Sequence, residues 1–468
     1  MNHERNRNFI DSWRLWLVPG MGVKRHVSVA VLGALTLVGG VVGGVLWFYN
    51  ERRETLSGPI EEALVSDSWQ RFGGWASLLL IVLGATIATA AVARLNRSLL
   101  SNWMKKPEEA AQVLHRRIRL GRGPKVVILG GGTGTSNLLR GLREHTSNLT
   151  AVVAVSDDGG SSGRLRKAFD MPAPGDLTDC LAALSDYESS LSRLLQYRFV
   201  RGDELSGHTF GNLLITTLME VEGDFGQALR VLNELLDLSG AVYPATAQPV
   251  TLVVTKRDGS VVSGEVQGRL HGGAVGSVAI TPEAPSTLPE VEHALADADL
   301  IVLGPGSLYT STIPPLLVPA VREALAGSKA ALVYVANIMT EAGETDGYDA
   351  FEHVKALLEH GARRPDVVLL NDTPIDKPRR ASYREEHAET VSAALEQFSA
   401  AGIEVHQRPL LMAGDKAQHD SELLAVELVA LAKSSHRYEQ HRSRARFVTS
   451  PGSDSGTDSG TESGTVSA

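Results

Sequence analysis

The chain is poor in cysteine. Cys180 is its one cysteine, which excludes an intrachain disulfide and suits a reducing compartment. Aromatic residues are scarce, at 5% of the chain. Positive charge is also in deficit, with 45 Lys and Arg against 54 Asp and Glu, so the net charge of −9 disfavours nonspecific binding to nucleic acid. Two familiar phosphate-binding signatures are incomplete. The stretch Gly130-Gly-Gly-Thr-Gly134 lacks the last glycine of a dinucleotide fingerprint, and no Lys-Ser/Thr pair follows it as in a P-loop. Finally, residues 27–49 and 75–93 contain no charged side chain.

Those two uncharged runs are the first positive feature. Each is long enough, at about 1.5 Å per residue, to cross a hydrocarbon layer of about 30 Å. The first ends in Trp47-Phe48-Tyr49 and the second opens on Trp75, as interfacial aromatics do. The competing reading of the first run is a cleaved signal peptide, against which stand its length, the lack of an obvious Ala-x-Ala site and the second run. Arg5, Arg7, Arg14, Lys24 and Arg25 precede the pair, and Arg94, Arg97, Lys105, Lys106, Arg116, Arg117 and Arg119 follow it. The connecting loop is net acidic. The chain is therefore expected to form a transmembrane hairpin (27–95) in a cell membrane, with a short N-terminal segment (1–26), both termini and the main domain in the cytoplasm. Residues 96–123 read as a basic helical linker, solvated rather than bound to lipid headgroups.

From residue 124 to 433 the pattern becomes α/β. Val126-Val-Ile-Leu129 and Val152-Val-Ala-Val155 are uncharged β-branched runs, read as buried parallel strands. Between them, Asn137-Leu-Leu-Arg-Gly-Leu-Arg143 has leucines at helical spacing. The first run ends in Gly130, Gly131, Gly132, Thr133, Gly134 and Thr135. The second ends in Asp157, Asp158, Gly159, Gly160, Ser161, Ser162 and, two residues on, Arg164. Glycines there let backbone N–H groups approach a phosphate at the N-terminus of the next helix. Two adjacent carboxylates are more than a core turn needs.

Further clusters follow the same logic. Asp176 precedes an apolar helix, as a cap or a ligand contact. His208 and Asn212 precede another. Residues 249–265 read as an accessory hairpin. A third buried run, Leu300-Ile-Val-Leu303, ends in Gly304, Gly306, Ser307, Tyr309 and Thr310, in which the glycines and hydroxyls can line phosphates and Tyr309 can pack on a base or sugar. Residues 331–335 and 367–370 are further strands, and Asn337 and Asn371 follow them. Five strand ends with small or polar loops predict a Rossmann-like, doubly wound, mostly parallel sheet with one ligand crevice. Residues 434–468 form a basic segment and a Ser/Gly/Thr tail too polar to pack.

The motifs Gly-Gly-Gly-Thr-Gly, Asp-Asp-Gly-Gly-Ser-Ser-Gly-Arg, Pro-Gly-Asp, His-Thr-Phe-Gly-Asn and Gly-Pro-Gly-Ser-Leu-Tyr-Thr-Ser occur here in the order of one family. The chain resembles the bacterial gluconeogenesis factors (YvcK-type), relatives of 2-phospho-L-lactate transferase (CofD), over residues 125–433. Thr178, Asp179 and Pro315 stand where that family commonly has Arg, Asn and Asn. The resemblance implies a nucleotide-sugar site for UDP-N-acetylglucosamine and a regulatory role in carbon metabolism, cell shape and peptidoglycan synthesis. It also implies a homo-oligomer and a protein partner in envelope synthesis. The other class open to such a site is a Mg²⁺-dependent, phospholactyl transferase-like enzyme using a nucleoside diphosphate donor. In that class Asp157, Asp158 and Asp176 would hold the metal, and His208 would orient or protonate a substrate oxygen. The low aromatic content disfavours a deazaflavin acceptor.

Overall fold

The computed structural model describes residues 23–51, 67–101, 110–185, 190–236 and 238–435. The expected N-terminal segment up to residue 22, the loop 52–66, residues 102–109 of the linker and the tail from 436 lie outside the described residues. The chain divides into two compact units, residues 1–116 and 117–468.

In the first unit, helices Val23–Glu51 and Asp67–Ser101 pack side by side. Glycines let their backbones touch. A Cβ on Gly33 would stand 2.6 Å from the Ala88 nitrogen, and one on Gly40 2.8 Å from the Ile81 nitrogen. Small residues at a helix crossing allow close backbone approach without a hydrophobic driving force, the condition met in lipid. Two stretches, Arg25–Tyr49 and Arg71–Ser98, are long and apolar enough to cross a membrane, each with mean hydropathy 2.3. Their outward side chains are apolar and uncovered: Leu35 is 64% exposed and Trp75 73%. The second helix runs past the uncharged run, to Ser101.

The second unit is a layered α/β domain. In chain order its strands are β1 (Val126–Gly130), β2 (Leu149–Val153), β3 (Ala241–Pro244), β4 (Thr251–Lys256), β5 (Val261–Ser263), β6 (Val275–Thr281), β7 (Leu300–Leu303), β8 (Ala331–Val335), β9 (Val367–Asn371) and β10 (Glu404–Arg408). Seven of them form one sheet in the order β10-β9-β8-β7-β1-β2-β3, and every pair in it is parallel. The uncharged runs lie at its centre, where both faces are covered: every residue of β1 and β7 is buried.

Two of these seven strands escape the sequence pattern, because both are at sheet edges. β10 is Glu-Val-His-Gln-Arg and keeps polar side chains in water; β3 is four residues ending in Pro244. The expected hairpin is present as β4 and β5, and β6 joins it in a three-stranded antiparallel sheet, β5-β4-β6. β4 alternates half-buried and buried residues, so one face rests on the domain.

The chain moves outward from β1 through β2 to β3, then returns to the other side of β1 and moves outward again through β7, β8, β9 and β10. The strand order therefore reverses between β1 and β7. In an open parallel sheet, the loops leaving the strands' carboxyl ends diverge at such a reversal and leave a crevice.

Candidate functional site

The loops leaving β1 and β7 face each other across that crevice. They line a cavity of about 340 Å³ with Gly131, Gly132, Thr133 and Gly134 on one side and Pro305, Gly306 and Ser307 on the other. A side chain on Gly134 would collide with the Pro305 carbonyl oxygen, so only glycine lets the loops interlock. Gly132 has φ +65°, a second reason for glycine. The helix Gly132–Leu142 begins in this loop with no side-chain cap from its own N-cap residue, Gly131; Asp176 takes the Gly132 N–H, and the following first-turn N–H groups are left for an anion.

Asn337 and Glu341, after β8, form the next wall, and the Ser307 hydroxyl donates to Glu341 Oε2 at 2.7 Å. Burial pushes the Glu341 carboxyl up, against the Ser307 hydrogen bond. Tyr383, Gln418 and His419 close the far side. Burial pushes His419 down to about 4 despite a bond to the Ala336 backbone. Its buried Nε2 has no partner. It is thus a neutral ring at neutral pH, with a hydrogen-bonding nitrogen left for a ligand.

A second chamber of about 230 Å³ shares Gly132, Ser307 and Ser311 with the first. Its other lining includes Asp157, Asp176, Glu265, Arg269 and Thr310. Asp176 accepts the Gly132 backbone N–H; burial, then Asp157, Asp179 and Glu265, pushes its carboxyl up to about 7. Glu265 is likewise pushed up to about 7 by burial and Asp157, although Arg269 Nη2 donates to its Oε1 at 2.5 Å. Behind them Glu344 is pushed up to about 8 by burial and Glu341. Several strained carboxyls in one cleft mark a functional site better than a structural one, since stability alone would not assemble them.

The sequence-derived residues divide by position. Gly131, Gly132, Thr133, Gly134, Gly306, Ser307 and Asn337 line the first cavity; Asp157, Asp176 and Thr310 line the second. Gly130 and Gly304 shape the strand ends, Gly304 at φ +72°. Thr135 is buried and bonds the Pro305 carbonyl at 3.4 Å.

The rest hold the walls in place. His208, only 6% exposed, pairs through Nδ1 with Ser161 Oγ at 2.8 Å, and Asn212 Nδ2 donates to the same oxygen at 3.0 Å. Thr178 donates to Asn212 Oδ1 at 2.8 Å, so this departure from the family pattern is a full member of the network. Burial, then Arg164 and Arg198, pushes His208 down. The imidazole, bonded through Nδ1 to Ser161, fixes helix Gly160–Phe169 against helix Phe210–Glu222, and His208 lines neither cavity. Ser162 packs against Gly175, and Arg164 donates to the Ser206 carbonyl at 2.8 Å. Gly159 N–H donates to Asp157 Oδ1 at 2.9 Å, and Gly160 takes φ +48°. Tyr309, expected against a base or sugar, lines neither cavity. Its ring lies edge-on to Tyr348 and His360, and its hydroxyl is 2.9 Å from that of Tyr348.

The expected three-carboxylate metal set is also altered. Asp158 Oδ1 accepts the Val266 backbone N–H at 2.9 Å. Among the described residues, no group of three or more His, Cys, Asp and Glu is placed to hold a metal ion. Asp157 and Asp176 do share the chamber, and one or two carboxylates plus substrate phosphates are what Mg²⁺ commonly takes.

Glu265, Arg269, Tyr383 and His419 are site residues the sequence did not mark. Glu265 and Arg269 come from the accessory sheet's short helix, Tyr383 from the helix Lys377–Glu385 and His419 from a late loop, with no glycine motif beside them.

The family model for 2-phospho-L-lactate transferase CofD matches residues 126–411, from the start of β1 to just beyond β10. The chain belongs to this family. Among CofD-family relatives, the Bacillus subtilis gluconeogenesis factor is 42% identical over 316 residues, covering 67% of this chain and 100% of that protein. A Deinococcus radiodurans relative bearing the gluconeogenesis-factor name is 44% identical over 435 residues, 89% of each chain. A crystal structure of a Bacillus halodurans protein matches with a TM-score of 0.64 and 40% identity, covering 66% of this chain and 99% of that one. Relatives thus occur both at the length of the sheet domain and at nearly the full length of this chain.

Proposed function

We propose that this CofD-family chain is a gluconeogenesis factor: a membrane-tethered regulatory protein whose cytoplasmic domain binds a nucleotide sugar, UDP-N-acetylglucosamine. The observation that carries this reading is the meeting of the β1 and β7 glycine loops at the sheet's reversal point, where helix first-turn N–H groups beyond Gly132 are open to a diphosphate. The relatives' shared name supports the regulatory role. Through a partner in envelope synthesis the bound state would act on carbon metabolism, cell shape and peptidoglycan synthesis. Such signalling requires that the ligand bind two protein states unequally.

Tethering rests on the two apolar helices and their uncovered outer faces. Sidedness rests on the basic residues flanking them. A Mg²⁺ ion carried on the diphosphate would be held by Asp157 and Asp176 and would neutralise phosphate charge.

The pairing of those carboxylates in one chamber also favours a second reading, phospholactyl transfer from a nucleoside diphosphate donor, the activity for which the family model is named. Isothermal titration of the full-length protein in nanodiscs separates the readings. Regulatory binding predicts saturable heat with UDP-N-acetylglucosamine at a Kd well below millimolar and no turnover. Absence of heat or competition with every UDP-sugar sinks it, whereas a phospholactyl product formed from a guanosine diphosphate donor favours the transferase.

A further inference from the structure

Besides Asp157 and Asp176, the pair that would meet a diphosphate-borne Mg²⁺, the second chamber is lined by the Glu265 carboxyl, the Arg269 guanidinium and the hydroxyls of Ser307, Thr310 and Ser311. Carboxylates accept and repel anions, so a bare phosphate is a poor occupant, whereas a neutral polyol brings a donor to each oxygen. The chamber is continuous with the glycine-loop cavity through Gly132, Ser307 and Ser311, so one ligand can span both. Its volume, about 230 Å³, leaves room for a single ring.

A second observation points the same way. Glu344 is 4% exposed and its Oε2 has no hydrogen-bond partner. It lines a recess together with Glu265, Arg269 and Thr310, three residues that also line the chamber. Arg269 Nε stands 3.8 Å from Glu344 Oε1, too far for a hydrogen bond. Its Nη2 is bonded to Glu265, which leaves other guanidinium donors for a ligand.

We propose that this chamber receives the neutral, hydroxyl-rich group beyond the phosphates, with Glu265 and Arg269 as its specificity-determining contacts. The assignment rests on the nucleotide-sugar reading above and deepens it. The glycine loops hold the charge common to all nucleotide diphosphates; the accessory sheet, through its helix Glu265–Leu270, reads what is attached. Asp158 is a positioning residue in this scheme, because its carboxylate anchors the first turn of that helix at Val266. Losing a hydrogen bond to a charged partner in such a site costs about 1.5–3 kcal/mol, or roughly ten- to hundredfold in affinity.

The test is titration of the full-length wild type, Glu265→Gln and Arg269→Ala with UDP and with UDP-N-acetylglucosamine, each with Mg²⁺ and with chelator. The sugar's advantage, the ratio of the two affinities, should fall tenfold or more in both variants. UDP binding shows that the variants are folded, and Arg269→Lys should restore part of the ratio. Equal weakening of both ligands, or an unchanged ratio, overturns the assignment. So does an effect of Glu265→Gln seen only with Mg²⁺ present, which would make the chamber a metal-borne phosphate site. If UDP binds the wild type and the sugar adds nothing, the chamber assignment alone falls. If neither binds, the nucleotide-sugar reading falls and carries this one with it.

Discussion

The Asp158 carboxylate accepts the backbone N–H of Val266 at 2.9 Å, joining the acidic turn after β2 to the first turn of the accessory sheet's helix, 108 residues away. Its neighbour Asp157 faces the chamber. Successive side chains in an extended segment point to opposite sides, so the two aspartates have separate tasks.

That division can be measured. Asp158→Ala should cost about 0.5–2 kcal/mol of stability, as loss of a helix-capping carboxylate does. It should weaken UDP-N-acetylglucosamine with or without metal. Asp157→Asn should leave stability nearly intact and weaken the ligand mainly in Mg²⁺. Urea unfolding and titration with and without chelator distinguish them.

Gly134→Ala should be the most damaging single change in the β1 loop. The added methyl meets the Pro305 carbonyl, and overpacking of this kind costs about 1–3 kcal/mol. Since the two loops must separate to admit it, nucleotide binding should be lost even where thermal melting still reports a folded domain.

The raised carboxyls give a pH signature. Asp176 and Glu265 hold their protons up to about 7 in the folded chain, whereas unfolded Asp and Glu release theirs near pH 4. Between those values the folded state binds more protons, so their contribution to stability falls as pH rises from about 4 to 7. Asp176→Asn removes its share. The melting temperature of this variant should depend less on pH over that interval, and at pH 8 it should exceed the wild type's.

His419 acts with the opposite sign. Its folded value is depressed to about 4, below the value of about 6.5 for an unfolded histidine. Its contribution is present above pH 6.5 and lost as pH falls toward 4. An NMR titration of its ring protons should show a midpoint below pH 5. His419→Ala should weaken nucleotide binding severalfold, and by the same factor at pH 6.5 and pH 8.

Deleting residues 1–101 should release the protein from the membrane fraction and leave UDP-N-acetylglucosamine binding within about twofold. A strong loss of binding would tie the first unit to the site. Protease added to intact cells should leave the sheet domain uncut if it faces the cytoplasm.

Much of this molecule is legible in one dimension. The uncharged runs specify central strands, where burial on both faces leaves no polar alternative, and two long helices apolar all round. Gly131 to Gly134 and Gly306 announce a close backbone approach because no other residue permits one. Edge strands β3 and β10 carry mixed patterns, since water takes one side, and local reading passes over them.

Local pattern is also silent on partners distant in the chain. Asp157 and Asp158 look equivalent until Val266 claims one of them; His208 and Asn212 look like ligand contacts in the sequence, whereas the fold turns both toward Ser161. Glu265, Arg269 and His419 carry no motif and enter the site because the strand order reverses between β1 and β7 and the accessory sheet stands beside the opening. Sequence by itself determined which segments are buried and where backbone must come close, because those depend on each residue's own chemistry. Only the tertiary structure decided which polar groups remain for a ligand, because that depends on which of them the fold has already paired.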